Sequence, residues 1–369
     1  MKSPTPLNDT IERTNNIAAA ERAQLHYVMD GGAGITRVAT RGRFRFLNPR
    51  GKEITDEVTL FRIKKLAIPP AWTQVWICPD AAGHIQATGR DARGRKQYRY
   101  HERWRAVRDE SKFDRLVSFA SALPQIRRKV HGDLSKPGMP REKILGTVVR
   151  LLETTMIRVG NEEYARQNRS FGLTTLRNPH ARVWRDENRF EFRGKSGVQH
   201  RVTIRDRRIA PIIRRCQEIP GQELFQYLDE SGKRHGISSA DVNDDLRSSN
   251  GGEYTAKDFR TWAGTLLAAQ TFQRLSAETA EASKRAVVQC IEEVARHLRN
   301  TAAVCRKCYI HPALVDSYLD GSFRVSWTGA SSVRSRAKVA SLTAEETALL
   351  RWLRKRSRKP EKNAIGLAI

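Results

Sequence analysis

The sequence predicts an α+β protein in which a small β-rich N-terminal domain precedes a larger, mainly helical one, and three observations predict it. Between residues 35 and 100, short apolar runs bounded by Gly, Pro and Asp recur at strand length. From about residue 101 the apolar spacing lengthens to the helical period. Inside that helical part, "RFEFRGKSGVQHRVTI" returns to two-residue alternation on either side of Gly194 and Gly197, the pattern of a single β-hairpin.

Taken in order, residues 1–34 are an N-terminal extension. The runs "ITRVAT", "RFRFL", "TLFRIKKL", "QVWICPD" and "HIQATGRD" are the expected strands of a domain over 35–106. Trp104, Val107, Phe113, Leu116, Val117 and Ala120 fall on related helical turns and open a mainly α domain over 107–330. Pro140 suits a first helical turn, and Ile144, Val148, Leu151, Leu152 and Thr155 make one face of a helix running towards Arg158, with Gly160 ending or loosening it. In the hairpin, Phe190 and Phe192 alternate on one side, Val198, Val202 and Ile204 resume on the other, and Lys195 occupies the turn. Thr255 followed three positions later by Asp258 resembles a capping box and starts a helix carrying Lys257 and Arg260. A further long helix is expected over 278–298. Residues 331–369 read as a basic C-terminal extension with one short helix, "TAEETALLRWLRKRSRK", passing into a poorly structured basic run.

Charge narrows the partner. There are 67 Lys and Arg against 40 Asp and Glu, a formal +27 on 369 residues. The basic residues recur in both halves of the chain, so a polyanion, and nucleic acid above all, is the expected partner. No run of about 18 apolar residues suggests a membrane span, and the polar first two dozen residues lack the apolar core of a signal peptide. A soluble, cytoplasmic protein is expected. Its five cysteines, an odd number, read as reduced thiols.

Attack on a phosphodiester needs cations for the nonbridging oxygens and a proton for the leaving oxygen. Arginine supplies the first with its forked donors, and lysine can supply the second. Arg158 in "MIRVGNEEY", Lys195 in "RGKSG", and Lys257 with Arg260 at a helix start stand at punctuated positions. Any one of them alone would ordinarily be a solvated surface charge; the ordered set carries more.

That order of motifs resembles the type IB DNA topoisomerases, in particular their short poxvirus-like and bacterial form, over roughly residues 60 to 320. Arg158 matches the family's R-x-G-N/K context, Lys195 its lysine in a β-hairpin turn, and residues 257–261, "KDFRT", its K-D-x-R-T signature. "NTAAVCRKCY" matches N-T-P-A-V-x-x-x-x-Y and ends at Tyr309. "QYRY", Gln97, Tyr98, Arg99 and Tyr100, looks like the segment with which the family touches bases and backbone in the major groove. The chain departs at Asn300, where poxviral and eukaryotic members carry histidine; the amide still donates a hydrogen bond but cannot become an imidazolium. His297 and His311 nearby read as surface or capping histidines.

The resemblance implies a fold of the tyrosine recombinase and type IB topoisomerase kind and a site made of Tyr309, Arg158, Lys195, Arg260, Asn300 and Lys257. It implies relaxation of supercoiled duplex DNA through a 3′-phosphotyrosyl intermediate, by a monomer clamped around the duplex. No cofactor is required on this reading, magnesium acting at most as a stimulant. A tyrosine recombinase would share this chemistry, but it usually has H-x-x-R where Lys257 and Arg260 stand. A noncatalytic DNA-binding protein would explain the charge but not the ordered set. Cys305 and Cys308 form a C-x-x-C without the further ligands a zinc site needs, or the βαβ context of a redox pair, and read as packing residues. No G-x-x-x-x-G-K-[ST] loop implies ATP, and no compact acidic cluster suggests two-metal hydrolysis.

Overall fold

A computed structural model describes residues 6–40, 43–92, 94–249, 252, 254–275, 279–327 and 340–357. The chain divides into two compact units, Met1–Lys112 and Phe113–Ile369. Among the described residues no helix is long and apolar enough to cross a membrane.

The first unit contains helix α1 (Pro6–Arg22), strands β1 (Ile35–Thr40) and β2 (Arg43–Leu47), helix α2 (Glu57–Lys65), and strands β3 (Thr73–Ile77), β4 (Ile85–Arg90) and β5 (Lys96–Tyr100). The strands form one antiparallel sheet in the order β2-β1-β3-β4-β5. Ile35, Val75, Ile77 and Ala87 on its covered face pack with Ile63 of α2. One expected strand is wrong: "TLFRIKKL" lies in and just past α2. Leu60, Ile63 and Leu66 recur every third residue, which suits a helix, and Asp56 caps it by accepting from the Val58 and Thr59 N–H groups. Helix α1, which the sequence did not signal, buries Ala19 and Ala20, with Ala23 just past its end, against Leu25 and Trp104. Helix α3 (Glu102–Ser135) runs unbroken through the division between the units.

The second unit continues with α4 (Arg141–Thr155), α5 (Glu162–Asn168), strands β6 (Ala181–Trp184), β7 (Glu187–Arg193) and β8 (Gln199–Arg205), helix α6 (Ile209–Glu218), strands β9 (Gln226–Leu228) and β10 (Arg234–Gly236), and helix α7 (Ser239–Ser248). Then come α8 (Ala256–Arg274), α9 (Ala280–Leu298), α10 (Ala302–Cys308), α11 (Pro312–Leu319), α12 (Ser322–Ser326) and α13 (Ala344–Ser357). Strands β6, β7 and β8 form an antiparallel sheet in that order, and β9 pairs with β10. One core joins these helices apart from α5, with Leu145, Val148, Phe259, Phe272, Val294 and Leu349 among its buried members. Helix α4 does not reach Arg158 as expected. It stops at Thr155, where Met156 takes a left-handed conformation (φ 55°, ψ 18°), so Arg158 lies in a nonhelical segment. Helix α13 is no loose tail, since Leu349, Leu350, Trp352 and Leu353 are buried in the main core. The basic run expected after it lies outside the described residues.

Candidate active site

Arg260 and Lys257 start from the first turn of α8. Asp258 accepts from the Thr255 N–H at 2.8 Å and from its hydroxyl at 2.9 Å, fixing the helix start as the capping pattern predicts. One turn in, Arg260 is buried (3 % exposed) and donates from one Nη to the Met156 carbonyl and from the other to the Leu298 carbonyl, the latter at 2.7 Å. Its guanidinium therefore ties the corner before Arg158 to the corner before Asn300. An arginine anchored this way keeps Nε–H and one hydrogen on each Nη, three of its five donors.

Arg158 is held by backbone. Its carbonyl accepts from Leu173 N–H at 2.9 Å, the Val159 carbonyl accepts from Thr174 at 2.7 Å, and Phe171 N–H reaches the Arg193 carbonyl at 2.8 Å. These bonds join the Arg158 segment to the end of β7. Gly172 permits the crossing, because a Cβ there would sit 2.6 Å from the Arg158 carbonyl oxygen. The Arg158 side chain donates from Nη2 to Asn300 Oδ1 at 2.9 Å and also bonds the Tyr309 side chain. Burial, with Arg260 beside it, lowers its guanidinium below the ordinary value, and Tyr309 opposes that shift.

Tyr309 follows the last residue of α10, whose start is capped by Thr301 accepting from Val304 N–H. It is 9 % exposed, and the Arg260 Cζ lies 5.1 Å from its ring centroid. Close approach of α8 depends on Gly264, where a Cβ would meet the Tyr309 carbonyl oxygen at 2.6 Å. Lys195 is exposed in a short 3-10 turn, residues Lys195–Gly197, between β7 and β8. There Ser196 (φ 63°) and Gly197 (φ 80°) are both left-handed.

One cleft of about 360 Å³ is lined by Arg158, Lys195, Lys257, Arg260 and Tyr309, together with Asn161, Tyr164 and Phe171. Five of the six residues picked out from the sequence thus share one cavity wall. Asn300 stands behind it, reached through Arg158. Arginine can only donate, so Oδ1 must face it; Nδ2 is a buried donor without a partner.

Two parts of the chain match family models: residues 101–330 match "Eukaryotic DNA topoisomerase I, catalytic core" and residues 43–91 match "Bacterial DNA topoisomerase IB, N-terminal domain". The chain belongs to the type IB DNA topoisomerases. It is 32 % identical over 293 residues to DNA topoisomerase 1B of Acanthamoeba polyphaga mimivirus, covering 77 % of this chain and 87 % of that one. To DNA topoisomerase 1B of vaccinia virus (strain Copenhagen) it is 24 % identical over 290 residues, covering 75 % and 87 %. DNA topoisomerase 1 of Mycosarcoma maydis matches over 191 residues at 27 % identity, covering 47 % of this chain and 18 % of its own.

In this topoisomerase the four residues expected to touch DNA lie on β5, an edge strand of the first unit. Strand alternation splits them. Tyr98 and Tyr100 stack with ring centroids 5.7 Å apart, and Lys96 sits 5.5 Å from the Tyr98 ring while pairing with Asp30. On the other face, Gln97 donates to Asp91 at 3.0 Å, and Arg99 donates to the Ala67 carbonyl and lies over Trp72. His311 caps α11 by accepting from Ala313 N–H, and exposed His297 bonds the Glu293 carbonyl, the ordinary roles expected. Cys305 is buried and its thiol is pushed up to about 11, chiefly by that burial. Sequence reasoning passed over His200 and Arg299. His200 is 3 % exposed on β8, stacked on Phe192 at 4.8 Å, and burial with Arg299, Arg158 and Arg260 nearby lowers it to about 4. A lone histidine in an alternating strand gives no signal of this kind.

Proposed function

We propose that this type IB topoisomerase relaxes supercoiled duplex DNA with Tyr309 as the nucleophile. The Tyr309 hydroxyl gives up its proton to water as its oxygen attacks the scissile phosphorus, the bond from phosphorus to the 5′-oxygen breaks, and a 3′-phosphotyrosyl ester and a 5′-hydroxyl result. Arg158 and Arg260 clamp the nonbridging oxygens as charge builds, with Asn300 adding a hydrogen bond. Lys195 gives its ammonium proton to the departing 5′-oxygen, supported by Lys257. One phosphoester replaces another, so torque in the DNA drives rotation about the intact strand, and reversal reseals the nick without ATP. No cofactor is required, magnesium acting at most as a stimulant. The partner is double-stranded DNA, bound in the major groove through Gln97, Tyr98, Arg99 and Tyr100 by a monomer that closes around it. The setting is the cytoplasm, on the nucleoid.

The observation that carries this reading is the single cleft where Tyr309, two arginines and two lysines meet. The test is relaxation of a supercoiled plasmid in EDTA without ATP, beside denaturing gels of labelled DNA. The parent relaxes the plasmid and traps DNA, whereas Tyr309→Phe does neither but still shifts DNA in a native gel. Covalent DNA on the Tyr309→Phe protein would overturn the nucleophile.

A further inference from the structure

The exposed Lys195 must be delivered to one oxygen atom, and a turn of three residues does not fix a long side chain by itself. What holds the hairpin comes from across the site. Helix α9 ends at Leu298, and Arg299 follows in the left-handed conformation (φ 49°, ψ 60°), its N–H bonded to the Ala295 and Arg296 carbonyls. Glycine is the usual choice at such a position, because a Cβ is disfavoured there. Here an arginine occupies it, and its half-buried side chain donates from Nη2 to the Arg201 carbonyl at 3.0 Å.

Arg201 lies on β8, the outer strand of the sheet β6-β7-β8, where a backbone carbonyl turned away from β7 has no strand to pair with. From that point the ladder is continuous to the lysine turn: Glu191 faces Arg201, Phe192 faces His200 and Arg193 faces Gln199. His200 stiffens the link. Its ring stacks on Phe192 and fills the space beside Gly194, where a Cβ would come within 2.5 Å of Nε2. Arg299 also immediately precedes Asn300 and the helix leading to Tyr309. One side chain therefore spans the nucleophile's segment and the lysine's hairpin.

We propose that Arg299 is a positioning residue, docking the β7–β8 hairpin so that Lys195 meets the leaving 5′-oxygen. The proposal rests on Lys195 being the general acid, and the test separates the two. Single-turnover cleavage is measured on two duplexes that differ only at the scissile 5′ atom, oxygen or bridging sulfur; a thiolate leaves without protonation. The variants are Arg299→Gly, Arg299→Lys, Lys195→Ala and the double variant Arg299→Gly with Lys195→Ala, with melting temperatures alongside.

Glycine suits the left-handed backbone, so Arg299→Gly is expected to melt no lower than the parent. It should cleave the oxygen substrate about 10- to 10²-fold more slowly, the cost of a small misplacement. On the sulfur substrate it should return to within about threefold of the parent, the proton no longer being needed. Arg299→Lys, which keeps a donor of similar reach, should fall between. On the oxygen substrate the double variant should be no slower than Lys195→Ala alone. If Lys195→Ala is rescued by sulfur but Arg299→Gly is equally slow on both substrates, or is as fast as the parent on oxygen, Arg299 does not act through the lysine. If Lys195→Ala is not rescued, the general-acid assignment falls and takes this proposal with it.

Discussion

Asn300 offers two chemically different ends, and Arg158 occupies one of them by donating to Oδ1. The other end, Nδ2, is a buried donor without a partner, set behind the cleft wall. The sequence showed the residue type, but not that the amide is oriented by a neighbouring arginine, because that contact joins positions 142 apart. Arg260 makes the same point. Its place in "KDFRT" was legible, whereas its bonds to the Met156 and Leu298 carbonyls depend on two helix ends meeting. For Asn300 the expected outcome is that Asn300→Ala slows single-turnover cleavage by at most about 10² to 10³-fold, the range for one lost oxyanion donor. Asn300→His should retain substantial activity, since an imidazole donates over comparable reach. Equal rates for Asn300→Ala and the parent from mildly acidic to mildly basic pH would remove Asn300 from the reacting phosphate.

At the level of elements, the hairpin was legible because alternation and a Gly-bounded turn are local signals. Helix α2 was not: a short segment with apolar Leu60, Phe61, Ile63 and Leu66 among charged residues fits strand and helix alike, and only Asp56 marked its start. The end of α4 was misplaced because no glycine or proline marks it; Met156 adopts the left-handed turn with its carbonyl held by Arg260. The hairpin also carries a pH dependence. His200 is lowered from 6.5 to about 4, first by burial and then by Arg299, Arg158 and Arg260. As pH falls below 6.5 the unfolded chain takes up the proton while the folded one resists, so this contribution to stability is complete above 6.5 and is lost towards 4. Replacing the ring by His200→Phe keeps a stack on Phe192 and removes the titration. Urea unfolding across that window should show a flatter acid limb for His200→Phe than for the parent. Parallel loss of stability in the two proteins would place the titration elsewhere.

Over the whole molecule, the +27 charge pointed to nucleic acid before any motif was read, and the change in apolar period raised the expectation of two domains. Less legible was the C-terminal segment, whose basic composition suggested an appendage although its helix completes the core that supports α8. Glu346, 5 % exposed, accepts from both Nη atoms of Arg127, from the Trp262 indole at 3.2 Å and from Thr343 N–H at 2.8 Å. Trp262 lies on α8, two residues beyond Arg260, so this carboxylate links α13 and α3 to the helix that carries Lys257 and Arg260. Burial alone would raise the Glu346 carboxyl, but Arg127 outweighs it and the net shift is downward. The stabilisation is therefore present above 4.5 and is lost as pH falls through the lowered folded value. Removing one partner of a buried pair typically costs about 3–5 kcal/mol. Glu346→Ala should approach that loss in urea unfolding at neutral pH, with Glu153 still pairing Arg127 at 2.6 Å and moderating it. Glu346→Gln, which keeps an acceptor for Trp262, should lose less. Cleavage by Glu346→Ala should match the parent well below its melting temperature and fail at lower temperature than the parent on warming, because Arg158, Lys195, Lys257, Arg260 and Tyr309 are untouched and only the support of α8 is weakened. A Glu346→Ala protein that unfolds and inactivates with the parent would mean that α8 holds its position without α13.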